Sequence, residues 1–255
     1  MNNINKLNLK NKKYIIFDMD GTLIDSIGVW NKTDQKLIEK YSNITIGLEE
    51  IQLDRDTFLH NNQDSDIYLA YCKYLIYKYN LSIKNEKQLL KIRWDISNEI
   101  LEKEMDFKPY VVDLIYKLKE KGFTLILATM TTQEQLNVYS RKNKLMYERM
   151  NIEEVFDLTI SKEDVNNKKP HPEIYLKIMD YYNAKTDECL IFEDSYTGVL
   201  SAKNAGIEVV NIYDKYADID RDKINEITDY FILNYKEFIT IVDFLYLEKN
   251  KVKNK

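Results

Sequence analysis

The chain has 255 residues, of which 44% are hydrophobic and 31% are charged, and its mean hydropathy is −0.48. This profile is typical of a globular protein and argues against a fibrous, disordered or membrane-spanning chain. The formal net charge of −5 disfavours nucleic-acid binding, because an acidic surface repels a phosphate backbone. The length suits one large domain, or a core domain that carries a smaller insertion.

Cysteine content and apolar run length indicate the cellular location. Cys72 and Cys189 are the only cysteines, which are too few for a disulfide framework. The first residues lack the apolar segment of a signal peptide, and no apolar run reaches the roughly 18 to 20 residues of a membrane span. We therefore expect a cytoplasmic protein that is a monomer or a small homo-oligomer, without a membrane or nucleic-acid partner.

The first predicted strand is the short apolar run Tyr14–Phe17. It stops at an Asp-x-Asp-Gly sequence, which is typical of a tight polar turn. Asp18 and Asp20 are the two acids of this turn, and Gly21 gives the backbone the freedom to make it. The run therefore predicts a buried strand with two carboxylates at its end.

A helical block follows the first strand. Residues 26–106 show helical periodicity and no convincing strand. The clearest helical patterns in this block are Val29–Tyr41, Asp66–Asn80 and Glu86–Glu104. We predict a helical insertion over residues 26–106, with residues 1–25 and 107–255 forming the core.

Strands and helices alternate through the rest of the chain. The apolar runs of strand length are Thr124–Ala128, Leu158–Ile160, Leu190–Phe192, Val209–Ile212 and Tyr230–Leu233. The helical patterns are Tyr110–Lys121, Gln133–Met150, Pro172–Tyr182, Thr197–Ala205 and Lys236–Leu247. Strands without polar alternation favour a parallel sheet that is covered on both faces. The alternation predicts a Rossmann-like, three-layer α/β core.

Polar residues follow four of the predicted strands. They are Asp18 with Asp20, Thr129, Lys169, and Glu193–Asp194. Each has an ordinary structural explanation by itself, as a turn, a strand end, a surface charge or a helix cap. Together they predict one site, because parallel strands bring their ends to the same edge of a sheet. Clustered carboxylates need a cation or protons to offset their repulsion, and an all-oxygen set suits Mg²⁺ better than Zn²⁺.

These residues resemble the four motifs of the haloacid dehalogenase-like hydrolases. The motifs are the run Asp18–Leu23, Thr129, Lys169–Pro170 and Glu193–Ser195, and the resemblance covers residues 13–212. The first and last motifs are specific in combination, whereas the threonine and the lysine alone are weak signals.

Two segments are similar to the β-phosphoglucomutase-like branch of that superfamily. They are Lys169–Tyr175 and Phe192–Gly198. Members of this branch carry a helical, C1-type cap after the first motif, and the predicted insertion has the matching place. The resemblance implies a Rossmann-like core with an inserted helical cap.

The resemblance implies a Mg²⁺-dependent phosphatase that acts on a small phosphorylated metabolite through an aspartyl-phosphate. Asp18 would attack the phosphorus, and Asp20 would serve as general acid and then as general base. Asp18, the backbone carbonyl of Asp20 and Asp194 would hold the metal ion. Glu193 is a further candidate for that role.

The remaining roles concern the phosphate and the leaving group. Thr129 and Lys169 would bind the transferring phosphoryl oxygens, with help from the amide of Met130. Trp30 and Arg55, in the predicted cap, are candidates for leaving-group selection. Each of these two also has an ordinary explanation as a packing or surface residue.

Several alternatives remain open at this stage. A dehalogenase or a phosphonate hydrolase is weakened by Asp20, because dehalogenases lack an aspartate at the matching place. A sugar-phosphate mutase is weakened by Trp30 and Thr132, since mutases of this branch carry histidine and lysine there. A catalytically idle binding module that keeps the fold is an alternative from another class. The intact acid pair argues against it.

Overall fold

The computed structural model describes residues 4–62, 64 and 66–243. The chain divides into two compact units. Met1–Asp25 and Asp106–Lys255 form one, which we call the α/β unit, and Ser26–Met105 form the other, the helical unit. Within the described residues, no helix has both the length and the apolar composition needed to cross a membrane.

The helical unit contains four helices in its described part. They are α1 (Ile27–Tyr41), α2 (Leu48–Asn61), α3 (Ile67–Lys78) and α4 (Glu86–Lys103). The side chains of Asp66 and Asn85 cap α3 and α4, because each accepts a backbone N–H of the first turn. Helix α2 lies inside the predicted helical block, but it was not among the patterns named there. Its apolar residues lie on different faces, with Ile51 buried but Leu53 and Leu59 exposed.

The α/β unit is built on one sheet, which has six strands in the described residues. They are β1 (Tyr14–Phe17), β2 (Thr124–Ala128), β3 (Leu158–Ile160), β4 (Cys189–Glu193), β5 (Glu208–Ile212) and β6 (Tyr230–Ile232). All neighbours are parallel, in the order β3-β2-β1-β4-β5-β6. The strands are rich in β-branched and aromatic residues, which favour the pleated conformation. The predicted parallel α/β fold is confirmed.

The register of the three central strands positions the site. Strand β1 lies between β2 and β4, and Phe17 is opposite both Leu127 and Phe192. The residues that follow these three positions therefore emerge at one edge of the sheet. Asp18 and Glu193 come directly after this row, and Thr129 comes one residue later.

The described part of the α/β unit also contains seven helices with assigned ends. They are α5 (Val111–Glu120), α6 (Gln133–Asn137), α7 (Lys144–Arg149), α8 (Ile152–Val155), α9 (Glu173–Tyr182), α10 (Tyr196–Asn204) and α11 (Arg221–Ile227). Short 3₁₀ segments are Ile4–Lys6, Lys162–Asp164, Thr186–Glu188 and Lys215–Asp220. Residues 235–243 are helical, and the rest of the predicted helix Lys236–Leu247 lies outside the described residues.

One predicted helix, Gln133–Met150, was wrong as a continuous element. Helix α6 gives way to a π-helical turn at Val138–Lys142, and α7 then begins after Asn143. Asn143 has ψ 98°, which is not helical, and its side chain accepts the N–H of Met146 at 2.9 Å. An asparagine that caps a new helix in this way ends the previous one.

Candidate active site

Three buried carboxylates meet at the carboxyl ends of the central strands. Asp18, Glu193 and Asp194 each offer one oxygen, and these oxygens all lie within 4.8 Å of one another. We call these three residues the carboxylate cluster. Asp18 follows β1, Glu193 ends β4, and Asp194 is the next residue. The structure therefore brings together three of the residues that the sequence predicted.

Lys169 reaches this cluster from the loop before α9. Its Nζ donates to Oδ1 of Asp18 at 2.7 Å, to Oε1 of Glu193 at 2.6 Å and to the carbonyl of Ala128 at 3.0 Å. The Lys169 side chain is only 6% exposed. Ala128 precedes Thr129, so the predicted phosphate-binding lysine and threonine are close to each other and to Asp18.

The electrostatics of the cluster show a surplus of negative charge. Burial raises the pKa of Asp18 well above its ordinary value; Lys169 opposes that shift, and Glu193 and Asp194 add to it. Burial also raises the pKa of Asp194 to about 8, with contributions from Glu193 and Asp214. Burial opposes the charge of Lys169, but Asp18 and Glu193 hold its pKa well above the ordinary value. One ammonium does not offset the charge of the whole cluster.

The cluster fits a hard divalent cation. All of its donors are oxygens, which is the ligand set that Mg²⁺ prefers. A cation would offset the buried carboxylates that now raise one another's pKa. Gly21 has a φ of +80°, and a Cβ on it would overlap the carboxylate of Asp194. A glycine is therefore required where the Asp18–Gly21 turn passes Asp194.

Tyr175 and Gly198 shape the surroundings of Glu193. The hydroxyl of Tyr175 donates to Oε1 of Glu193 at 2.7 Å, and the Nζ of Lys169 lies 5.4 Å from the centre of the same ring. A Cβ on Gly198 would overlap the Glu193 carboxylate. Ser195 caps α10 by accepting the N–H of Gly198 at 3.1 Å. Tyr175 and Gly198 stand inside the segments Lys169–Tyr175 and Phe192–Gly198 quoted above, but sequence reasoning assigned no role to either residue.

Three more polar residues hold the loops of the site, and sequence reasoning missed them. Thr22 Oγ1 donates to Oδ1 of Asp194 at 2.9 Å, and the Tyr235 hydroxyl donates to the carbonyl of Thr22 at 3.1 Å. Asn211 Nδ2 donates to the carbonyls of Glu193 and Asp194, both at 3.0 Å. A lone asparagine in the apolar strand β5 was a signal for such a role, because a buried amide needs partners.

Thr129 and Met130 follow β2 at the same edge. Thr129 is 1% exposed, and its Oγ1 accepts the backbone N–H of Thr131 at 3.1 Å. Met130 is half-buried, and its side chain packs against the core of the α/β unit. Any contribution of Met130 to an anion site would therefore come from its backbone.

Asp20 has surroundings different from those of the carboxylate cluster. Its Oδ2 accepts a hydrogen bond from Thr131 Oγ1, and its Oδ1 accepts one from the Tyr139 hydroxyl at 3.3 Å. Burial and the charge of Asp20 raise the pKa of Tyr139 well above its ordinary value. Sequence reasoning missed Thr131 and Tyr139. Their contacts with Asp20 span 111 and 119 positions, so no local pattern reveals them.

The two candidates for leaving-group selection lie in the helical unit. The Trp30 ring packs edge-on against Trp94 at 5.6 Å, and the Arg93 guanidinium lies 5.5 Å from the Trp30 ring. These contacts support the packing explanation of Trp30. Arg55 is 8% exposed; its Nη2 donates to Gln52 at 3.2 Å, while its buried Nη1 has no hydrogen-bond partner among the described residues.

The sequence profile of the haloacid dehalogenase-like hydrolases matches residues 15–212. The chain belongs to this family. The match begins in β1 and ends with β5, so it includes Lys169, Thr129 and the whole carboxylate cluster. The superfamily predicted from the motifs is confirmed.

Individual relatives agree with this assignment. A phosphorylated carbohydrates phosphatase of Thermotoga maritima is 29% identical over 196 residues, which cover 76% of this chain and 82% of that protein. A glyceraldehyde 3-phosphate phosphatase of Pyrococcus furiosus is 24% identical over 238 residues, which cover 91% and 93%. A solved HAD family hydrolase from Deinococcus radiodurans, with bound phosphate and sodium, has a TM-score of 0.69 at 18% identity. The match covers 89% of this chain and 93% of the Deinococcus radiodurans chain, and it shows that the two share a fold.

Proposed function

We propose that this hydrolase is a Mg²⁺-dependent phosphatase of a small phosphorylated metabolite. The observation that carries the proposal is the contact of Asp18 with Lys169, at 2.7 Å, inside a buried cluster of carboxylates. This arrangement supports the proposal, because it suits a carboxylate nucleophile that acts beside a cation able to bind the substrate's phosphate. The names of the relatives in Thermotoga maritima and Pyrococcus furiosus support the same reaction class.

In the first half of the reaction, Asp18 is the nucleophile. One of its carboxylate oxygens forms a bond to the phosphorus of the substrate while the bond from phosphorus to the leaving oxygen breaks. Asp20, as the carboxylic acid, gives its proton to that leaving oxygen, so the product departs as a neutral alcohol. An aspartyl-phosphate on Asp18 remains.

In the second half, water replaces the leaving group. Asp20, now a carboxylate, takes a proton from the water as its oxygen bonds to phosphorus. The bond between phosphorus and Asp18 breaks, inorganic phosphate leaves, and both acids return to their starting states. Two separate carboxyl groups suit these two tasks, because one must stay bonded to phosphorus while the other moves the proton.

The other residues of the site bind and orient the anion. Thr129 and Lys169 would hold the phosphoryl oxygens, and the backbone N–H of Met130 would add a further donor. Asp18, Asp194 and the backbone carbonyl of Asp20 would hold Mg²⁺, with Glu193 as a further oxygen donor or as the group that fixes Lys169. The bound metal would supply positive charge that lets an anionic substrate approach a carboxylate.

The mutase alternative is not favoured. Mutases of the β-phosphoglucomutase type carry a lysine where this chain has Thr132, and a histidine where it has Trp30. The Thr132 side chain caps α6 by accepting the N–H of Gln135 at 3.3 Å. The Thr132 side chain therefore has a structural role as a helix cap. Its hydroxyl also lacks the positive charge of a lysine.

Leaving-group selectivity is the part of the proposal that falls to the helical unit. Arg55 has a buried Nη1 without a hydrogen-bond partner among the described residues, which suits a substrate group that accepts hydrogen bonds. Arg55→Lys should raise KM for the preferred metabolite more than for p-nitrophenyl phosphate, because only the former has the group that the guanidinium would meet. Trp30, packed on Trp94, is the weaker candidate.

The basic test measures release of p-nitrophenol from p-nitrophenyl phosphate. Wild type and Asp222→Asn, which changes an exposed acid in α11, should release it with Mg²⁺ and stop in EDTA. Asp18→Asn should release none. Equal release by all three proteins without the metal would contradict the proposal. Incubation with β-glucose 1-phosphate separates the mutase, because glucose 6-phosphate without free phosphate would indicate isomerisation.

A further inference from the structure

The Asp20 carboxylate is held from two sides by hydroxyl groups of the α/β unit. Thr131 Oγ1 donates to one oxygen, and the Tyr139 hydroxyl donates to the other at 3.3 Å. Thr131 is itself fixed, because its backbone N–H donates to Oγ1 of Thr129 at 3.1 Å. With a separate donor on each oxygen, neither the position nor the rotation of the carboxyl group is free.

The placement of Tyr139 depends on an irregular piece of helix. Tyr139 is fully buried and belongs to the π-helical turn Val138–Lys142, between α6 and α7. Such turns occur often at functional sites, because they turn a side chain away from its regular helical direction. A buried phenol normally has a hydrogen-bond partner. Here the partner is the acid that the proposed function requires.

The chemistry of the two donors differs from that around Asp18. Asp18 contacts an ammonium, a group that can donate hydrogen bonds but not accept them. Asp20 contacts neutral hydroxyls, and a hydroxyl can either donate to a carboxylate or accept from a carboxylic acid. The contacts of Asp20 can therefore persist when its proton leaves and when a proton returns. A nucleophile needs the first environment, and a proton carrier needs the second.

We propose that Thr131 and Tyr139 are positioning residues that hold Asp20 for proton transfer to the leaving group and from water. The inference rests on the proposed phosphatase function and adds two residues to it. Neither hydroxyl gains or loses a proton overall, and both act only through Asp20. Loss of either one leaves the nucleophile, the carboxylate cluster and Lys169 in place, while the acid loses part of its orientation.

The test uses three substrates of similar size whose leaving groups need a proton to different degrees. The leaving group of p-nitrophenyl phosphate departs without a proton, and that of phenyl phosphate departs more easily with one. Benzyl phosphate releases an alcohol, so its leaving oxygen must be protonated. The quantity to compare is kcat/KM with saturating Mg²⁺, because it covers the steps up to formation of the aspartyl-phosphate. The proteins are wild type, Tyr139→Phe, Thr131→Val and Asp20→Asn.

We expect the loss to grow with the need for a proton. Tyr139→Phe and Thr131→Val should lower kcat/KM for benzyl phosphate by about tenfold or more, and for p-nitrophenyl phosphate by less than about twofold. Asp20→Asn should show the same trend more steeply. Tyr230→Phe is the matched control, since it removes a 2.8 Å tyrosine–carboxylate bond to Glu208 in the same unit. It should leave all three values unchanged.

Two results would overturn the inference while the phosphatase stands. One is an equal loss for all three substrates in Tyr139→Phe and Thr131→Val, which would indicate a general structural defect. The other is no loss for any substrate. Failure of the function itself looks different, because wild type would then hydrolyse none of the three. Thermal unfolding of each variant identifies a protein that has not folded, and the Thr131 and Tyr139 variants provide independent tests.

Discussion

The two units of the molecule bury their charges in opposite ways. In the α/β unit, the direct ammonium contacts of the carboxylate cluster among the described residues come from Lys169, which bonds to Asp18 and Glu193. In the helical unit, Asp34 and Arg93 form a buried one-to-one pair with contacts of 2.7 and 3.1 Å. The Tyr71 hydroxyl completes that pair by donating to Asp34 at 3.1 Å.

The difference is one of charge balance, since one group of buried charges is neutral overall and the other has more carboxylates than cations. A balanced, fully hydrogen-bonded pair needs nothing further, so it belongs to the fold of its unit. A buried surplus of carboxylates is unfavourable until a cation arrives. Proteins keep such unfavourable buried charges at sites where they bind a ligand. A bound cation should therefore change stability at the carboxylate cluster, whereas only mutations should change it at the Asp34–Arg93 pair.

The largest expected effect comes from removing charge at the cluster. Asp18→Asn should lower kcat by roughly 10⁴-fold or more, because it removes the proposed nucleophile. In EDTA its Tm should be equal to or higher than that of wild type, since one buried carboxylate is gone. Steady-state kinetics and thermal unfolding check the two parts. A large fall in Tm would show that Asp18 is needed for the fold, which would end the contrast between the units.

The next effect is a loss of stability when one charge of the Asp34–Arg93 pair is removed. Asp34→Asn should destabilise the protein by about 3–5 kcal/mol, because it leaves the buried Arg93 charge without its partner. Urea unfolding measures the change. The double variant Asp34→Leu, Arg93→Met removes both charges and should lose less than the single variant. A double variant that loses as much would show that packing, and not charge balance, stabilises this region.

A smaller effect is expected from one added methyl group beside the cluster. Gly198→Ala should cost about 1–3 kcal/mol, because its Cβ overlaps the Glu193 carboxylate and forces that side chain to move. Activity should fall with it, since Glu193 contacts Lys169. The matched control is Gly47→Ala in the helical unit, where a Cβ would meet no atom within 4 Å. Equal losses in the two variants would contradict the overlap.

The last prediction concerns pH. In the folded protein the pKa of Asp194 is raised from 3.8 to about 8. A raised pKa means that the folded state binds the proton more tightly than the unfolded state. In EDTA, the proton on Asp194 stabilises the folded state fully below about pH 4, and this stabilisation is lost as the pH rises to about 8. Tm should therefore fall across this range, less so for Asp194→Asn, and Mg²⁺ should remove the fall. A Tm that rises with pH in EDTA would contradict this.

Local patterns in the sequence predicted the strands and the residues at their ends. Asp18, Thr129 and Glu193 could be found because apolar runs mark the strands, and parallel strands bring their ends together. The break at Asn143 was missed, because the helical periodicity continues through it. The partners of Asp20 and Asp34 were also missed. Those contacts join distant segments, and only the packed tertiary structure determines which hydroxyl or guanidinium arrives there.

The central position of β1 has a consequence for the order in which the contacts of the site can form during synthesis of the chain. Among the strands that the structure describes, β1 comes first along the chain, yet it lies inside the sheet, between β2 and β4. The bond from Thr22 to Asp194 joins residues 172 positions apart, and that from Tyr235 to Thr22 joins residues 213 apart. A chain that ends before β2 would therefore carry Asp18, the proposed nucleophile, on a strand that lacks both of its sheet neighbours. The contact that holds Thr22 is complete only when Tyr235 is present, so a product truncated before residue 235 would carry Asp18 without the full set of contacts around the site.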